Sequence, residues 1–316
     1  MGVATALYRL GARVIVTSRS VAKAEVACAT VKKAVDETPK TGDNVGELVP
    51  MSLSLDDLDS VKSFAQEFCS RFKKLEYLCE NAGIAMQDTK NPKPSKQGYE
   101  MCYASNYLGH ALLMELLLPT LLASAPARVS FTSSITHWGA TSDKLDALLP
   151  DGDFARGRVV NKAYFDSKLC QVLYAFELQR RYRGKGVTFT PVAPGLIATD
   201  IFVVDQAKRG AGDSDQTATK VSLMKPVTEG CLTNLHALLA PSQEGLEGFF
   251  LQPYYSPKHL DKPLLGGFIG VAVLFEFLQQ KKSWGCHRWI PSPDAHNKEF
   301  AAKLFDETKA AVAQWM

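Results

Sequence analysis

Apolar positions follow two periods that alternate along the chain. Apolar side chains that recur every three or four residues predict helices, and short β-branched runs between them predict strands. The predicted strands are 13–17, 47–53, 75–79, 128–133, 187–192 and 248–252, and the predicted helices are 4–10, 21–35, 58–72, 99–107, 108–123, 163–183, 227–239 and 293–314. This alternation is typical of βαβ units, so we predict an α/β fold with a doubly wound parallel sheet.

Two segments depart from the alternation. Residues 201–220 are rich in Gly, Asp, Thr and Lys and predict a polar flap over a binding site. Residues 264–275 form the longest uninterrupted apolar run, which is shorter than the ~20 residues of a membrane-spanning helix. We interpret residues 264–278 either as a helix covering the substrate mouth or as a peripheral membrane or homodimer contact.

Composition narrows the classes of protein. The 36 basic and 33 acidic side chains leave a net charge of only +3, which does not favour a nucleic-acid partner. Seven cysteines without a C-x-x-C pair indicate reduced thiols and a cytoplasmic location, and no metal site is predicted.

The first candidate for chemistry is the pair Tyr164 and Lys168. Residues four apart lie on one face of a helix, so the ammonium can approach the phenol. A positive charge favours the phenolate, so we expect a lowered pKa for Tyr164 and a role in proton transfer to or from a substrate oxygen.

Other polar motifs follow the predicted strands. Asn81-Ala82-Gly83, Ser133-Ser134 and Pro194-Gly195 each come at the end of a strand, and Asn106 lies in a helical stretch. The carboxyl ends of parallel strands meet at one edge of a sheet, where ligands of open α/β sheets bind. We therefore expect these motifs to converge with Tyr164 and Lys168 on one cleft.

In this order the motifs resemble the short-chain dehydrogenase/reductase family, and specifically its retinol-dehydrogenase-like or sterol-ketone-reductase-like branches. The matching motifs are Asn81-Ala82-Gly83, Ser105-Asn106-Tyr107-Leu108-Gly109-His110, Thr132-Ser133-Ser134, Tyr164-Phe165-Asp166-Ser167-Lys168-Leu169 and Pro194-Gly195-Leu196-Ile197-Ala198-Thr199. The resemblance implies a Rossmann-like dinucleotide-binding and catalytic domain over residues 1–253, with residues 254–316 as a C-terminal extension packing on it.

The resemblance also implies roles for single residues. Tyr164 is the general acid/base, Lys168 lowers its pKa and holds the nicotinamide ribose, and Ser134, rather than Ser133, binds the substrate oxygen. Asn106 bends its helix and holds a water, and Thr199 binds the nicotinamide carboxamide. The remaining cofactor-binding positions are Gly2, Ser18, Arg19, Asn81, Ala82, Gly83, Pro194, Gly195 and Ile197.

Several of these residues have structural alternatives. Ser134 could cap a turn, Asn106 could satisfy buried backbone, and Thr199 could be a helix N-cap. His110 and His137 are interpreted as packed or surface histidines rather than proton carriers.

Cofactor choice depends on the end of the strand at residues 13–17. Arg19 suits a 2′-phosphate, and position 18 is Ser instead of an acidic residue that would bind a free ribose hydroxyl. We therefore favour NADP(H) over NAD(H). The family resemblance implies a hydrophobic alcohol, ketone or aldehyde of steroid, retinoid or lipid type as the substrate.

One departure from the family lies at the amino end. The family begins with a strand and a T-G-x-x-x-G-x-G turn, of which only the last glycine has a counterpart, Gly2. We expect the first strand to be missing from the middle of the sheet. Two hypotheses remain open: the natural protein is a longer reductase, or the short form is a non-catalytic relative that binds a partner or a lipid.

Overall fold

The computed structural model describes residues 1–38, 45–85, 94–142, 160–195, 197, 226–240, 250–253, 286–289 and 291–316. Its helices are α1 (Gly2–Arg9), α2 (Val21–Asp36), α3 (Leu58–Arg71), α4 (Met101–Tyr103), α5 (Gly109–Ala123), α6 (Val160–Arg181), α7 (Val227–Gly230), α8 (Leu232–Leu239) and α9 (Lys298–Val312). Its strands are β1 (Arg13–Ser18), β2 (Glu47–Ser52), β3 (Tyr77–Glu80), β4 (Ala127–Thr132), β5 (Val187–Val192), β6 (Phe250–Pro253) and β7 (Cys286–Trp289).

The strands form two sheets. β1 and β2 pair in parallel, and a five-stranded sheet has the order β3-β4-β5-β6-β7, parallel as far as β6 with β7 antiparallel. All six residues of β5 are buried, as expected for a parallel strand covered on both faces. Among the described strands none lies between β1 and β3, and the expectation of a missing first strand stays a prediction.

Local sequence explains how several helices begin. Ser20 caps α2 by accepting a hydrogen bond from the Lys23 N–H, and Asp57 caps α3 by accepting from the N–H groups of Asp59 and Ser60. α5 is apolar almost all round, which suits a helix buried in the core. The first residue of α5 is Gly109. A Cβ at this position would lie 2.1 Å from the Leu55 carbonyl oxygen, so only glycine fits there.

The C-terminal helix α9 packs on the same core as α6. The rings of Tyr174 and Phe305 stack with centroids 5.4 Å apart, and the hydroxyls of Tyr107 and Thr308 lie 2.7 Å apart. Lys309 forms an ion pair at 3.0 Å with the buried Glu115. Residues 298–312 therefore belong to the main domain's core.

One described stretch, Met101–Ala123, is long and apolar enough to cross a membrane by length and composition alone. It comprises α4, a π-helical turn and α5, and 72% of its most apolar window is buried inside the protein. A core helix of a folded domain has the same composition.

Most predicted elements are present with boundaries shifted by a few residues. The antiparallel strand β7 was not predicted, and the helix predicted over 227–239 is divided into α7 and α8. The polar flap at 201–220 and the apolar segment 264–278 lie outside the described residues.

Candidate active site

The candidate site lies at the carboxyl edge of the five-stranded sheet. β3 ends before Asn81-Ala82-Gly83, β4 ends before Ser133-Ser134, and β5 ends before Pro194-Gly195. Because these strands are parallel, the three motifs lie along one edge. The Thr132 hydroxyl donates to the Asn81 side chain at 3.2 Å, which links the first two motifs.

The side chain of Ser134 acts on Tyr164, because its hydrogen bonding lowers the pKa of the phenol. Ser134 precedes a 3₁₀ helix, Ile135–Gly139, and its hydroxyl oxygen accepts the Thr136 N–H at 3.2 Å. Since that oxygen accepts from the backbone, the hydroxyl proton can be donated to another oxygen. Ser134 thus both caps a turn and faces the phenol.

Ser133 has a different environment. It is 2% exposed, and its hydroxyl donates to the Lys168 carbonyl oxygen at 2.7 Å. This bond uses the hydroxyl to join β4 to α6, which leaves Ser134 as the serine that contacts Tyr164.

Lys168 lies one helical turn after Tyr164, on the same face of α6. Its Nζ is 5.6 Å from the centroid of the Tyr164 ring, and it donates to the Thr132 carbonyl oxygen at 2.8 Å and to Gln171 Oε1 at 2.9 Å. The side chain is buried, and this burial lowers the pKa of Lys168 to about 7.

The expected lowering of the Tyr164 pKa is wrong for this structure. Burial raises the pKa of Tyr164 to about 12, and the hydrogen bond from Ser134 offsets only part of that rise. The i, i+4 spacing does bring Lys168 near the phenol, but burial of Tyr164 has the larger effect on its pKa, and the Lys168 Nζ donates to Thr132 and Gln171.

Asn106 lies in a π-helical turn, Ala104–Leu108, between α4 and α5. Such turns inside α-helices are frequent at functional sites. Its carboxamide accepts the Ile84 N–H at 2.8 Å and donates to the Ile84 carbonyl at 2.9 Å and to the Ser167 hydroxyl at 3.1 Å. Asn106 therefore satisfies buried backbone just after Gly83, which is the structural alternative left open by the sequence.

Gly83 brings the end of β3 next to the polar centre. A Cβ at this position would be 3.0 Å from Asn106 Oδ1 and 3.7 Å from Lys168 Nζ. The glycine therefore leaves open backbone beside the lysine. Gly195, after β5, has a φ of 85°, a conformation that favours glycine.

The other proposed cofactor residues are more dispersed. Ser18 and Arg19 end β1, where Arg19 is exposed and Ser18 half-buried. Gly2 begins α1, and a Cβ there would lie 2.8 Å from Cys231 Sγ, so Gly2 is required by packing against the start of α8. Ile197 is buried, and Thr199 lies outside the described residues.

Sequence reasoning missed Gln171, a polar neighbour of the site, and interpreted His137 as a packed or surface histidine without its contacts. Gln171, 1% exposed, binds Lys168 and follows it by three residues on α6, a spacing that could have indicated it. His137 is 0% exposed, and its Nδ1 lies 2.7 Å from the Ser134 carbonyl oxygen. Its second contact, Ser292, is distant in sequence and left no local signal.

Comparison with known proteins gives consistent results. A family model of short chain dehydrogenases matches residues 1–140. Human (Homo sapiens) retinol dehydrogenase 14 is 32% identical over 256 residues, which cover 78% of this chain and 73% of the relative. Retinol dehydrogenase 12 of Bos taurus is 32% identical over 304 residues, or 95% of this chain and 78% of the relative.

Solved structures show the same fold. An uncharacterised protein from Mycobacterium Paratuberculosis superposes with a TM-score of 0.66 at 24% identity, over 98% of this chain and 88% of that one. Levodione reductase superposes with a TM-score of 0.60 at 16% identity, over 83% of this chain and 93% of that one.

The fold and the relatives together define an oxidoreductase with a Rossmann-like sheet. The chain belongs to the short-chain dehydrogenase/reductase family, in its retinol-dehydrogenase-like branch. Members of this family use nicotinamide cofactors and act on small molecules.

Proposed function

We propose that this chain is an NADP(H)-dependent oxidoreductase that interconverts a hydrophobic alcohol and its ketone or aldehyde, with Tyr164 as the general acid/base. The observation that carries the proposal is the position of the buried Lys168 Nζ, 5.6 Å from the centroid of the Tyr164 ring, beside the Ser134 side chain that lowers the pKa of Tyr164 by hydrogen bonding. Three groups suited to proton transfer thus meet at the carboxyl edge of a parallel sheet.

In the reducing direction, side chains of the protein supply a proton to the carbonyl oxygen of the substrate and stabilise the negative charge that develops on it. The Tyr164 hydroxyl donates its proton to the carbonyl oxygen of the substrate, and the Ser134 hydroxyl donates a hydrogen bond to the same oxygen. A bound nicotinamide would supply the hydride. Lys168, with a pKa of about 7, can release a proton near neutral pH to restore the phenol. Oxidation of an alcohol uses the same groups in reverse.

The residues present fit a nicotinamide cofactor. Lys168 has three N–H donors, two of which bond to Thr132 and Gln171 in the described structure, so the third is available for a ribose hydroxyl. The open backbone at Gly83 adjoins this ammonium. Asn81 and Ala82 would contact the adenosine side, and Gly195, Ile197 and Thr199 the nicotinamide side.

The preference for NADP(H) is supported by the end of β1. Arg19 is exposed there, and the neighbouring Ser18 carries no charge that would repel a 2′-phosphate. A guanidinium matches the geometry of a phosphate group.

A hydrophobic substrate of retinoid, steroid or lipid type is supported by two observations. Partly exposed apolar side chains flank the polar groups in sequence, namely Ile135 and Trp138 near Ser134 and Phe165 next to Tyr164. The relatives at 32% identity are named retinol dehydrogenases.

A cytoplasmic location is supported by the described cysteines, six of which are free thiols.

The test is a Tyr164→Phe variant assayed for NADPH oxidation with a retinoid aldehyde, a steroid ketone and a medium-chain aldehyde. We expect kcat to fall by about 10²- to 10⁴-fold, because the proton donor is lost while the ring is kept. Tyr182→Phe is the matched control, since Tyr182 follows the end of α6 and contacts Phe189 instead of the site. Unchanged turnover in Tyr164→Phe would refute the role of Tyr164, and a wild-type chain without turnover would refute the proposed function.

A further inference from the structure

His137 connects the loop after Ser134 to a distant part of the chain. Its ring is 0% exposed; Nδ1 lies 2.7 Å from the Ser134 carbonyl oxygen and Nε2 lies 3.1 Å from the Ser292 backbone nitrogen. A backbone N–H can only donate, so Nε2 is the acceptor and Nδ1 carries the proton that bonds to Ser134. The neutral ring thus bridges two backbone segments 155 residues apart.

A second set of bonds joins the same two segments. Asp294 Oδ1 accepts from both the backbone nitrogen and the hydroxyl of Ser142, at 2.8 and 2.9 Å. Asn297 Nδ2 donates to the Ser142 hydroxyl at 3.0 Å. We name residues 291–297 the anchor segment. The described part of the loop that leaves Ser134 is therefore bonded to the anchor segment at two places, His137 and Ser142.

The bond from His137 acts on the backbone that orients the Ser134 hydroxyl. Ser134 is in an extended conformation at the start of the 3₁₀ helix, and its carbonyl oxygen accepts from both the His137 ring and the His137 N–H. Rotation of this peptide plane would also move the Thr136 N–H that bonds to the Ser134 hydroxyl. The direction in which Ser134 presents its proton to Tyr164 thus depends on this carbonyl.

We propose that His137 is a positioning residue. Its bond to the Ser134 carbonyl holds the Ser134 hydroxyl in the orientation that faces Tyr164, and its bond to Ser292 in the anchor segment holds the His137 ring in place. This inference rests on the proposed function, since Ser134 is there the donor to the substrate oxygen. A buried apolar side chain would fill the same space but remove the hydrogen bond to the Ser292 N–H and leave the Ser134 carbonyl with only the bond from the backbone N–H of residue 137.

Three substitutions separate positioning from packing. Phe in place of His137 keeps the ring and removes both hydrogen bonds. Asn keeps a donor at the place of Nδ1 and can restore the bond to Ser134, whereas Gln keeps an acceptor near the place of Nε2 and can restore only the bond to Ser292. His296→Phe is the matched control, because His296 belongs to the anchor segment and stacks on Phe176 instead of contacting the Ser134 loop.

We expect His137→Phe and His137→Gln to lower kcat by about 10- to 100-fold, as misplacement of a catalytic group does, with the dissociation constant of NADPH unchanged. His137→Asn should recover most of the lost kcat, and His296→Phe should match wild type. In a Ser134→Ala background His137→Phe should cause no further loss. Equal losses of kcat in His137→Phe, His137→Asn and His137→Gln would overturn the inference. So would a loss of kcat from His137→Phe that adds to the loss caused by Ser134→Ala.

Hydrogen exchange of the peptide covering 133–142 distinguishes failure of this inference from failure of the proposed function. Faster exchange in His137→Phe and wild-type exchange in His137→Asn show the bridge whether or not turnover is found. If the bridge is shown but wild type reduces no carbonyl, the proposed function fails and the positioning role fails with it. If wild type is active and exchange is identical in all variants, only the inference about His137 fails.

Discussion

Glu80→Gln should stabilise this protein by an amount that grows with pH. Glu80 ends β3 with 1% of its surface exposed, and neither carboxyl oxygen has a hydrogen-bond partner in the described structure. The nearest titratable nitrogen is His110 Nδ1, at 3.8 Å from Oε2. Burial raises the pKa of Glu80 well above its ordinary value, so the folded chain holds this proton to a higher pH than the unfolded chain does.

The direction of this pH dependence follows from the number of protons that Glu80 binds in the folded and in the unfolded chain. Below the unfolded pKa of about 4.3 both states hold the proton, and Glu80 adds no pH dependence. Between that pKa and the raised pKa of the folded state the unfolded chain releases the proton and the folded chain keeps it, so stability falls by up to about 1.4 kcal/mol per pH unit. Between pH 5 and 7 the loss in free energy of unfolding reaches about 3 kcal/mol at most.

Two buried histidines act in the opposite direction. Burial lowers the pKa values of His110 and His137 to about 4, so stability falls as pH drops from about 6.5 towards 4. Both histidines are present in wild type and in Glu80→Gln. The contribution of His137 cancels when the two free energies of unfolding are subtracted. That of His110, which lies 3.8 Å from Glu80, cancels from pH 6 upward, where the folded histidine is neutral.

The assay is urea unfolding followed by circular dichroism at pH 5, 6, 7 and 8, with linear extrapolation to water. The difference between Glu80→Gln and wild type should increase from pH 5 upward until the raised pKa of the folded Glu80 is passed, and then level off. Glu67→Gln is the control, because the Glu67 side chain is 52% exposed and pairs with Arg71 on the surface. A difference that stays constant from pH 5 to 8, or that shrinks, would show that Glu80 is ionised in the folded state.

Two further predictions concern the site. Gly139→Ala should lower kcat by about tenfold, because the added Cβ would lie 2.7 Å from Phe165 Cδ2 and displace Phe165, the neighbour of Tyr164. Steady-state kinetics check this. A Gly139→Ala/Phe165→Leu double variant that recovers none of the lost kcat would contradict it. Arg19→Ala should raise the KM for NADPH by about tenfold and leave the KM for NADH unchanged, because only the 2′-phosphate loses a charged donor. Equal changes in the two KM values would show that Arg19 does not select NADP(H) over NAD(H).

Local patterns were sufficient to predict much of the fold. The strand at 187–192 was predicted with its observed boundaries because a short apolar run between polar segments has few other interpretations. β7 was missed because an antiparallel edge strand depends on its pairing with β6, which is a distant contact.

The site was predicted as a set of residues but not in its electrostatics. The motifs place Ser134, Tyr164 and Lys168 together because they follow parallel strands and share a helix face. The pKa of Tyr164 was predicted in the wrong direction, since burial of both side chains comes from tertiary packing that spacing does not reveal. The bridge through His137 likewise requires Ser292, which no local pattern connects to Ser134.

The division of the strands into two sheets makes Arg19 and Lys168 members of different hydrogen-bonded units. In the described residues no backbone ladder runs from β1 to β3, and the units meet through packed side chains and through the approach of Gly109 to Leu55. A dinucleotide bound at both Arg19 and Lys168 would act as a cross-link, so the free energy of its binding would also resist separation of the two halves.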